Sequence, residues 1–170
     1  RSDSTGHRAT DRSVTRSTTR GSSGTSDLQA IRNLYDRYSQ YVKARNLAGI
    51  TSLYVPGSTL VAFDAFGPPA QTRGSIPYSR SYHYAKYFAL FPGPIDERIT
   101  RLQVAAAGTF AYAYGFDRWS AVPKGSTHRL TQVYRFTDVL TNRGGRWLIV
   151  HEHVSFPVDP RTGKADWLSR

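Results

Sequence analysis

The last predicted strand carries the side chains with the clearest chemical potential. His151 and His153 lie two residues apart, with Glu152 between them. Side chains at positions i and i+2 of a strand point to the same face, so the two imidazoles could form half of a zinc site. A third ligand would be needed, and the sequence pattern brings neither His83 nor His128 beside them. We therefore expect structural or interface histidines and neither a metal nor a cofactor, whereas Glu152 could act as an acid or a base.

Aromatic residues alternate with small ones on the two preceding strands. In the strand that starts at 109, one face is aromatic and the other is mostly Ala and Gly. By bulk and apolarity, we expect the aromatic face to point inward together with the Gln132 face of the next strand. An aromatic core that holds no ligand is the alternative interpretation. The ligand-binding residues predicted in this way are Tyr112, Tyr114, Phe116, Arg118 and Tyr134.

The elements that would position these residues follow the order ααβαββββ. Apolar residues recur at helical spacing from Leu28 to Val42, behind a capping-box pattern at 26–29. The pattern predicts further helices over 47–54 and 75–91 and strands over 58–63, 95–106, 109–122, 126–140 and 146–158. Long antiparallel strands after the helices predict an α+β fold, in which a curved antiparallel sheet wraps around the N-terminal helices.

Composition and charge limit the organisation of the chain and its partners. With 170 residues, of which 39% are apolar, the chain can build one core. The absence of cysteine excludes disulfides and thiolate metal sites. Residues 1–26 are mostly Ser, Thr, Arg and Gly, which predicts a disordered basic tail before a folded domain over 27–170. The net charge of +11 could attract polyanions, but the basic residues of the body are scattered, so nucleic acid is not the expected partner.

No apolar run in the sequence approaches the ~18 residues that would cross a bilayer. We therefore expect a soluble protein without membrane contact. The sequence does not begin with Met. A cytoplasmic location is favoured over export with a cleaved signal peptide, and both alternatives stay open.

Several segments of the chain resemble SnoaL-like domains, which belong to the nuclear-transport-factor-2-like, or ketosteroid-isomerase-like, superfamily. The resemblance covers about residues 28–159 and is carried by the segments 45–54 (RNLAGITSLY), 64–69 (DAFGPP), 91–95 (FPGPI) and 145–155 (GRWLIVHEHVS). It implies a cone-shaped α+β fold and supports the order of elements given above. Members of this superfamily include isomerases, dehydratases, binding modules and assembly hubs.

The family register also implies which side chains of the last strand face the cavity. Glu152 would point inward together with Val150, a further candidate ligand-binding residue. His151 and His153 would then lie on the outer face with Trp147, where this family commonly forms dimers. The resemblance thus implies a homodimer, for which the exposed register of Trp119, Trp147, His151 and His153 would supply the surface.

The ketosteroid isomerases imply a more specific site. Their catalytic tyrosine corresponds to Tyr38, their general base to Asp64, and a supporting tyrosine on the third helix to Tyr82. Their second oxyanion donor, a protonated aspartate, corresponds to Gln132. A glutamine donates only a neutral hydrogen bond, so the resemblance does not extend to steroid isomerisation itself.

Three classes of function remain open at this point. The first is a lyase or isomerase that abstracts a proton from a small apolar or aromatic carbonyl compound, and its candidate catalytic residues are Asp64, Tyr38, Gln132 and Glu152. The second is a non-catalytic ligand-binding module or dimeric hub, and the third is a polyanion binder. Two of the acids have structural alternatives, since Asp64 could cap the turn after its strand and Glu152 could pair with Arg118.

Overall fold

The computed structural model describes residues 20–56, 60–65, 72–73 and 80–169, with side chains from residue 24 onward except at 72–73 and 80–83. Its elements are α1 (Arg20–Lys43), α2 (Leu47–Thr51), β1 (Val61–Phe63), β2 (Thr72–Arg73), α3 (Arg80–Leu90), β3 (Asp96–Ala107), β4 (Phe110–Ala121), β5 (Leu130–Arg143) and β6 (Arg146–Ser155). The expected α+β architecture is confirmed. In this part of the chain the sheet has the order β2-β1-β6-β5-β4-β3, with antiparallel pairs except for the parallel pair β1–β6.

Helix α1 lies across the concave face of the sheet and packs mainly on β3. Its apolar residues, spaced by three or four positions, are buried, and Ile31 and Leu34 are fully inaccessible to solvent. The helix begins at Arg20 rather than at the predicted start, Ser26. Asp27 therefore lies inside the helix, where it accepts a hydrogen bond of 3.1 Å from the Trp147 indole of β6. A tertiary contact thus takes the place of the expected local cap.

Arg45 fixes the end of α1 against the end of α3. It adopts a left-handed conformation, with φ of 55°, in the turn that joins α1 to α2. Its guanidinium donates to the carbonyl oxygen of Phe88 at 3.1 Å and also to those of Phe91 and Gly93. These bonds satisfy carbonyl groups that a helix end leaves open, and they hold α3 over the sheet beside α1.

The inner face of β4 is built from small side chains, because neighbouring groups crowd it. Ala111, Ala113 and Gly115 are buried on this face. A Cβ atom on Gly115 would lie 2.9 Å from the carbonyl oxygen of Thr100 and 3.1 Å from the ring of Phe136. In this part of β4 the bulky residues consequently occupy the other face, with an exposed side chain at Tyr112 and Tyr114.

Two expectations about the ends of the chain have different outcomes. Residues 1–19 lie outside the described residues, so disorder there stays a prediction, whereas residues 20–26, which were expected in the tail, belong to α1. No helix in the described part of the chain is long and apolar enough to cross a membrane.

Candidate functional site

A cavity of about 160 Å³ lies between α1, α3 and the inner face of the sheet. A cavity of roughly 150 Å³ can hold a molecule the size of benzene. The described residues that line it are mostly aromatic or aliphatic, but they include four carboxylic acids: Asp64, Asp117, Asp138 and Glu152. Six tyrosines contribute to the same wall, namely Tyr35, Tyr38, Tyr54, Tyr84, Tyr87 and Tyr134. An apolar cavity with convergent polar groups is the usual form of a small-molecule site.

Tyr38 is the centre of a hydrogen-bonded group on one side of the cavity. Its hydroxyl lies 2.7 Å from the hydroxyl of Tyr84 on α3 and donates to Oδ2 of Asp117 at 3.4 Å. Burial raises the pKa of Tyr38 well above its ordinary value, and Tyr84 and Asp117 add to the rise. The phenol therefore stays neutral and can donate a hydrogen bond to a ligand.

The surroundings of Asp117 favour its neutral form. Burial raises its pKa well above the ordinary aspartate value, and the neighbouring Glu97 carboxyl raises it further. Like charges in close contact cannot both be ionised in a medium of low dielectric, so one proton is retained. A neutral carboxylic acid beside the Tyr38 hydroxyl is a second donor at the same place in the cavity.

Two further carboxyl groups are each paired with a tyrosine. The Tyr54 hydroxyl donates to Oε2 of Glu152 at 2.6 Å, and the Tyr35 hydroxyl donates to Oδ2 of Asp138 at 2.7 Å. Burial raises the pKa of Tyr35 well above its ordinary value, and Asp138 adds to the rise. Asp138 and Glu152 are also direct cross-strand partners on β5 and β6, which brings their side chains to the same part of the wall.

Gln132 is buried on the inner face of β5 as predicted, but it is not among the described residues that line the cavity. Its Oε1 atom accepts a hydrogen bond of 2.8 Å from the Tyr134 hydroxyl, which lies 3.4 Å from the hydroxyl of Tyr87. Burial raises the pKa values of Tyr87 and Tyr134. Gln132 thus orients a wall tyrosine, whereas Asp117 stands beside Tyr38 in the place for which Gln132 was predicted.

The structure brings Asp64 and Tyr38 to the same cavity. Asp64 follows β1 and is exposed, so its carboxyl group lies on the rim. The turn that it was expected to cap, at Gly67-Pro68, lies outside the described residues. The side chain of Tyr82 also lies outside them, and the tyrosine of α3 that contacts Tyr38 is Tyr84.

The residues predicted on the aromatic face of β4 do not line the cavity. Tyr112 and Tyr114 are about half exposed on the outer face, where their rings stack with centroids 6.3 Å apart. Phe116 lies beneath the Arg101 guanidinium, and Arg118 forms an ion pair of 2.9 Å with Asp96. The prediction was wrong because bulk decided the assignment, although the crowded part of the inner face, at 111–115, holds only small side chains. Arg118 and Glu152 consequently lie on opposite faces, which excludes their predicted alternative pairing.

A β-bulge corrects the predicted register of β6. Leu140 is the partner of Ile149 and Val139 is the partner of His151, so Val150 is the additional residue between two paired positions. Ile149 and Glu152 therefore both face the cavity, and Val150 does not line it. Trp147, which was expected outside, is buried and donates to Asp27.

The two histidines of β6 lie on the outer face, as the family register implied. Their rings flank the ring of Phe63, with centroid distances of 5.5 Å for His151 and 5.7 Å for His153. Trp119, which was expected beside them, is instead buried against Phe91 with a centroid distance of 4.4 Å. Within the described ranges, no group of three His, Asp or Glu side chains is placed to hold a metal ion.

Sequence reasoning missed Asp117, Asp138, Tyr35, Tyr54 and Tyr84. Asp138 could have been found, because it shares the register of Gln132 and Tyr134, which was correctly predicted to face inward. Asp117 shares the register of the small residues of β4, and an acid in that register would have been the signal once the small face was recognised as the inner one.

The sequence matches the SnoaL-like domain family over residues 31–159. The chain belongs to this family. No protein with a curated function matches the sequence. A nuclear-transport-factor-2-like protein of unknown function from Pseudomonas putida is 31% identical, with a TM-score of 0.71, and the match covers 84% of this chain and 95% of that one.

Two more distant structures share the fold. A proposed scytalone dehydratase from Novosphingobium aromaticivorans is 12% identical over 86% of this chain and 95% of that one, with a TM-score of 0.65. The CaMKII association domain from C. elegans is 16% identical over 78% of this chain and 98% of that one, with a TM-score of 0.58. At these identities the likeness shows the fold alone, which hosts unrelated functions.

Proposed function

We propose that this protein is a small-molecule enzyme, a lyase or isomerase, that moves a proton on an apolar carbonyl compound bound in the cavity. The observation that carries the proposal is the pair of neutral donors formed by the Tyr38 hydroxyl and the Asp117 carboxyl, which lie 3.4 Å apart. Removal of a proton next to a carbonyl places negative charge on its oxygen, and two fixed donors in the cavity stabilise that charge. A tyrosine with a protonated aspartate is the donor pair that ketosteroid isomerases use.

Asp64 is the proposed base. It is exposed on the rim and lines the same cavity as Tyr38, so it can take a proton from the carbon next to the carbonyl. The electron pair of the broken C–H bond forms the enolate, whose oxygen accepts hydrogen bonds from Tyr38 and Asp117. Asp64 then returns the proton to another carbon in an isomerisation, or to a departing hydroxyl group in a dehydration. Glu152, held by Tyr54, is the alternative base.

The cavity walls favour a cyclic or aromatic compound. Tyrosine and tryptophan rings form most of the apolar surface, and the volume of about 160 Å³ suits a ring of benzene size with small substituents. The hydroxyl groups at the tips of the tyrosines add hydrogen-bond partners for an oxygen-bearing ligand.

The test of this proposal follows proton exchange directly. Single-ring ketones are incubated with the protein in D₂O, and the replacement of the hydrogen next to the carbonyl by deuterium is followed by NMR. We expect at least one ketone to exchange faster with the native protein. Asp64→Asn should slow that exchange by about 10²–10⁴-fold, because the amide keeps the size of the side chain but removes the base.

Asp36→Asn is the matched control, since Asp36 is an exposed acid on α1 that does not line the cavity. It should leave the exchange rate unchanged. Undiminished exchange in Asp64→Asn would remove Asp64 from the mechanism. Exchange that is equally slow with the native protein and with buffer, for every ketone tested, would instead favour a non-catalytic binding module.

The outer sheet face supports a second proposal, that two copies of the chain associate. Phe110, Tyr112 and Tyr114 are 59%, 52% and 48% exposed, and they form a contiguous aromatic surface on β4. Exposed apolar surface of this kind marks an interaction site. Light scattering at micromolar protein should give the mass of a dimer, and Tyr112→Ala with Tyr114→Ala should give that of a monomer. A monomer mass for the native protein contradicts this proposal.

The placement of basic residues supports a partner other than nucleic acid. Lys124 and Arg129 lie near the start of β5, whereas Arg143 and Arg146 lie at the opposite end, where β5 turns into β6. A basic patch or stripe is the usual footprint of a nucleic-acid-binding protein, and these four residues form none.

A further inference from the structure

A buried carboxylic acid lies behind the cavity and has no part in the proposed proton transfer. Glu97, on β3, is fully buried and is not among the described residues that line the cavity. Neither of its carboxyl oxygens has a hydrogen-bond partner of ordinary geometry in the described part of the chain, although the Ser39 hydroxyl lies near enough to act on its pKa. Burying a polar group without such a partner destabilises a fold, so this position needs an explanation beyond packing.

The polar groups that act on the pKa of Glu97 come from three elements. They are Ser39 and Lys43 on α1, Asp96 on β3 and Asp117 on β4. Asp117 lies two residues from Trp119, the cross-strand partner of Glu97, so the two carboxyl groups lie on the same face of neighbouring strands, and each acts on the pKa of the other. Two carboxyl groups can form a hydrogen bond with each other only when one of them is protonated. Because Oδ2 of Asp117 also lies 3.4 Å from the Tyr38 hydroxyl, a chain of polar contacts runs from Glu97 to the cavity.

We infer that Glu97 is a positioning residue that sets the direction of the Asp117 proton, and thereby whether Asp117 can donate a hydrogen bond to the ligand. When Glu97 is ionised, Asp117 donates its proton to Glu97 and can only accept from Tyr38. When Glu97 takes up one proton from water, it donates to Asp117, whose own proton is then available to an oxygen of the ligand. The inference rests on the proposed function, since it concerns the same donor pair.

Glu97 should gain or lose its proton near neutral pH. Burial raises the pKa of Glu97 to about 7, while Ser39, Asp117 and the Lys43 charge oppose the rise and Asp96 adds to it. Asp117 holds its proton more strongly than an ordinary aspartate, because burial and the Glu97 charge raise its pKa well above the ordinary value. The site should therefore donate more strongly on the acidic side of neutrality than on the alkaline side.

The first test needs no ligand. The protein is labelled with ¹³C at its Asp and Glu carboxyl carbons and titrated by NMR from about pH 5.5 to about pH 8.5. We expect the resonances of Glu97 and Asp117, assigned from Glu97→Gln and Asp117→Asn, to change together near pH 7. The Asp117 inflection should vanish in Glu97→Gln and persist in Asp138→Asn, a control at another buried acid. If the chemical shift of the Asp117 carboxyl carbon does not change as Glu97 titrates, the inference is wrong.

The second test uses 2,4-dinitrophenolate, a single-ring oxyanion, as the probe. Native protein should bind it roughly tenfold more weakly at about pH 8.5 than at about pH 5.5, because a buried charge forms and a donor is lost. In Glu97→Gln the amide N–H donates permanently to Asp117. This variant should bind the probe equally at both pH values and as tightly as native protein does at the lower one. If Glu97 had only a structural role, Glu97→Gln would weaken binding of the probe at both pH values.

The outcomes separate the two proposals. Loss of affinity with rising pH in Glu97→Gln, as in the native protein, overturns the inference about Glu97. If Glu97→Gln fails to fold, Asp117→Asn replaces it. This variant should bind the probe weakly and equally at both pH values. A strong pH dependence of its binding would contradict the inference. Absence of probe binding in every form contradicts the proposed function, while the carboxyl resonances still decide the link between Glu97 and Asp117.

Discussion

The substitution Glu97→Gln should change how the stability of the fold depends on pH. In the unfolded chain this carboxyl group titrates at its ordinary pKa of 4.5, whereas burial raises its pKa to about 7 in the folded protein. The folded state therefore holds more protons between these two pH values. The contribution of Glu97 to the free energy of unfolding is fully present below about pH 4.5 and is lost as the pH rises through about 7.

The size of the effect follows from the same two pKa values. Their difference of about 2.5 corresponds to about 3 kcal/mol, at about 1.4 kcal/mol for each pKa unit. Glu97 is fully buried, so solvent does not screen this contribution. In the variant the amide does not titrate. Its buried polar group costs about 1–3 kcal/mol at every pH, which lowers stability without adding a slope.

Urea unfolding at about pH 5 and about pH 8.5 measures the prediction. Native protein should lose about 2.5 kcal/mol more than Glu97→Gln between the two pH values, because part of the contribution is already lost at about pH 5. The native protein should be the more stable form at the lower pH, and its advantage should disappear at the higher one. Asp36→Asn, at an exposed acid of α1, should follow the native curve. If the free energy of unfolding changes equally with pH in native protein and Glu97→Gln, the pKa of Glu97 is not raised in the folded protein.

Other predictions concern the donor pair and the tail. Tyr38→Phe should slow proton exchange of a ketone substrate by about 10²–10³-fold, because one oxyanion donor is lost. Tyr41→Phe, one turn further along α1 and outside the cavity lining, should leave the rate unchanged. Equal rates in Tyr38→Phe and native protein would exclude Tyr38 as a donor. Removal of residues 1–19 should leave the melting temperature unchanged, since they carry almost no apolar side chains, and a drop of several degrees would show that they pack on the domain.

The helices and strands could be predicted from the sequence because each carries its own periodic signal. The helical spacing of Leu28 to Val42 and the period of two in the long strands reappear as α1 and β3 to β6. The inward face of β5 was also correct, because Tyr134 and Phe136 are both bulky and buried. On this strand the face with the bulkier side chains is also the face that is buried in the core.

The inner faces of β4 and β6 could not be assigned in this way, because contacts between distant segments decide them. On β4 the approach of β3 and Phe136 leaves space only for Ala113 and Gly115, which turns the tyrosines outward. On β6 the additional residue Val150 reverses the alternation, and no local pattern in the sequence marks a bulge there. An assignment from one strand at a time therefore missed Asp117 as a cavity residue.

The proposed function depends most on a neutral carboxylic acid beside the Tyr38 hydroxyl in the cavity. The most direct measurement is the infrared difference spectrum between native protein and Asp117→Asn at neutral pH. A carboxylic acid and a carboxylate absorb at separate frequencies, so the spectrum reports the protonation of this one side chain. We predict that the native protein shows the carbonyl stretch of a protonated acid, because burial and the adjacent Glu97 raise the pKa of Asp117. The carboxylate bands in its place would contradict the account.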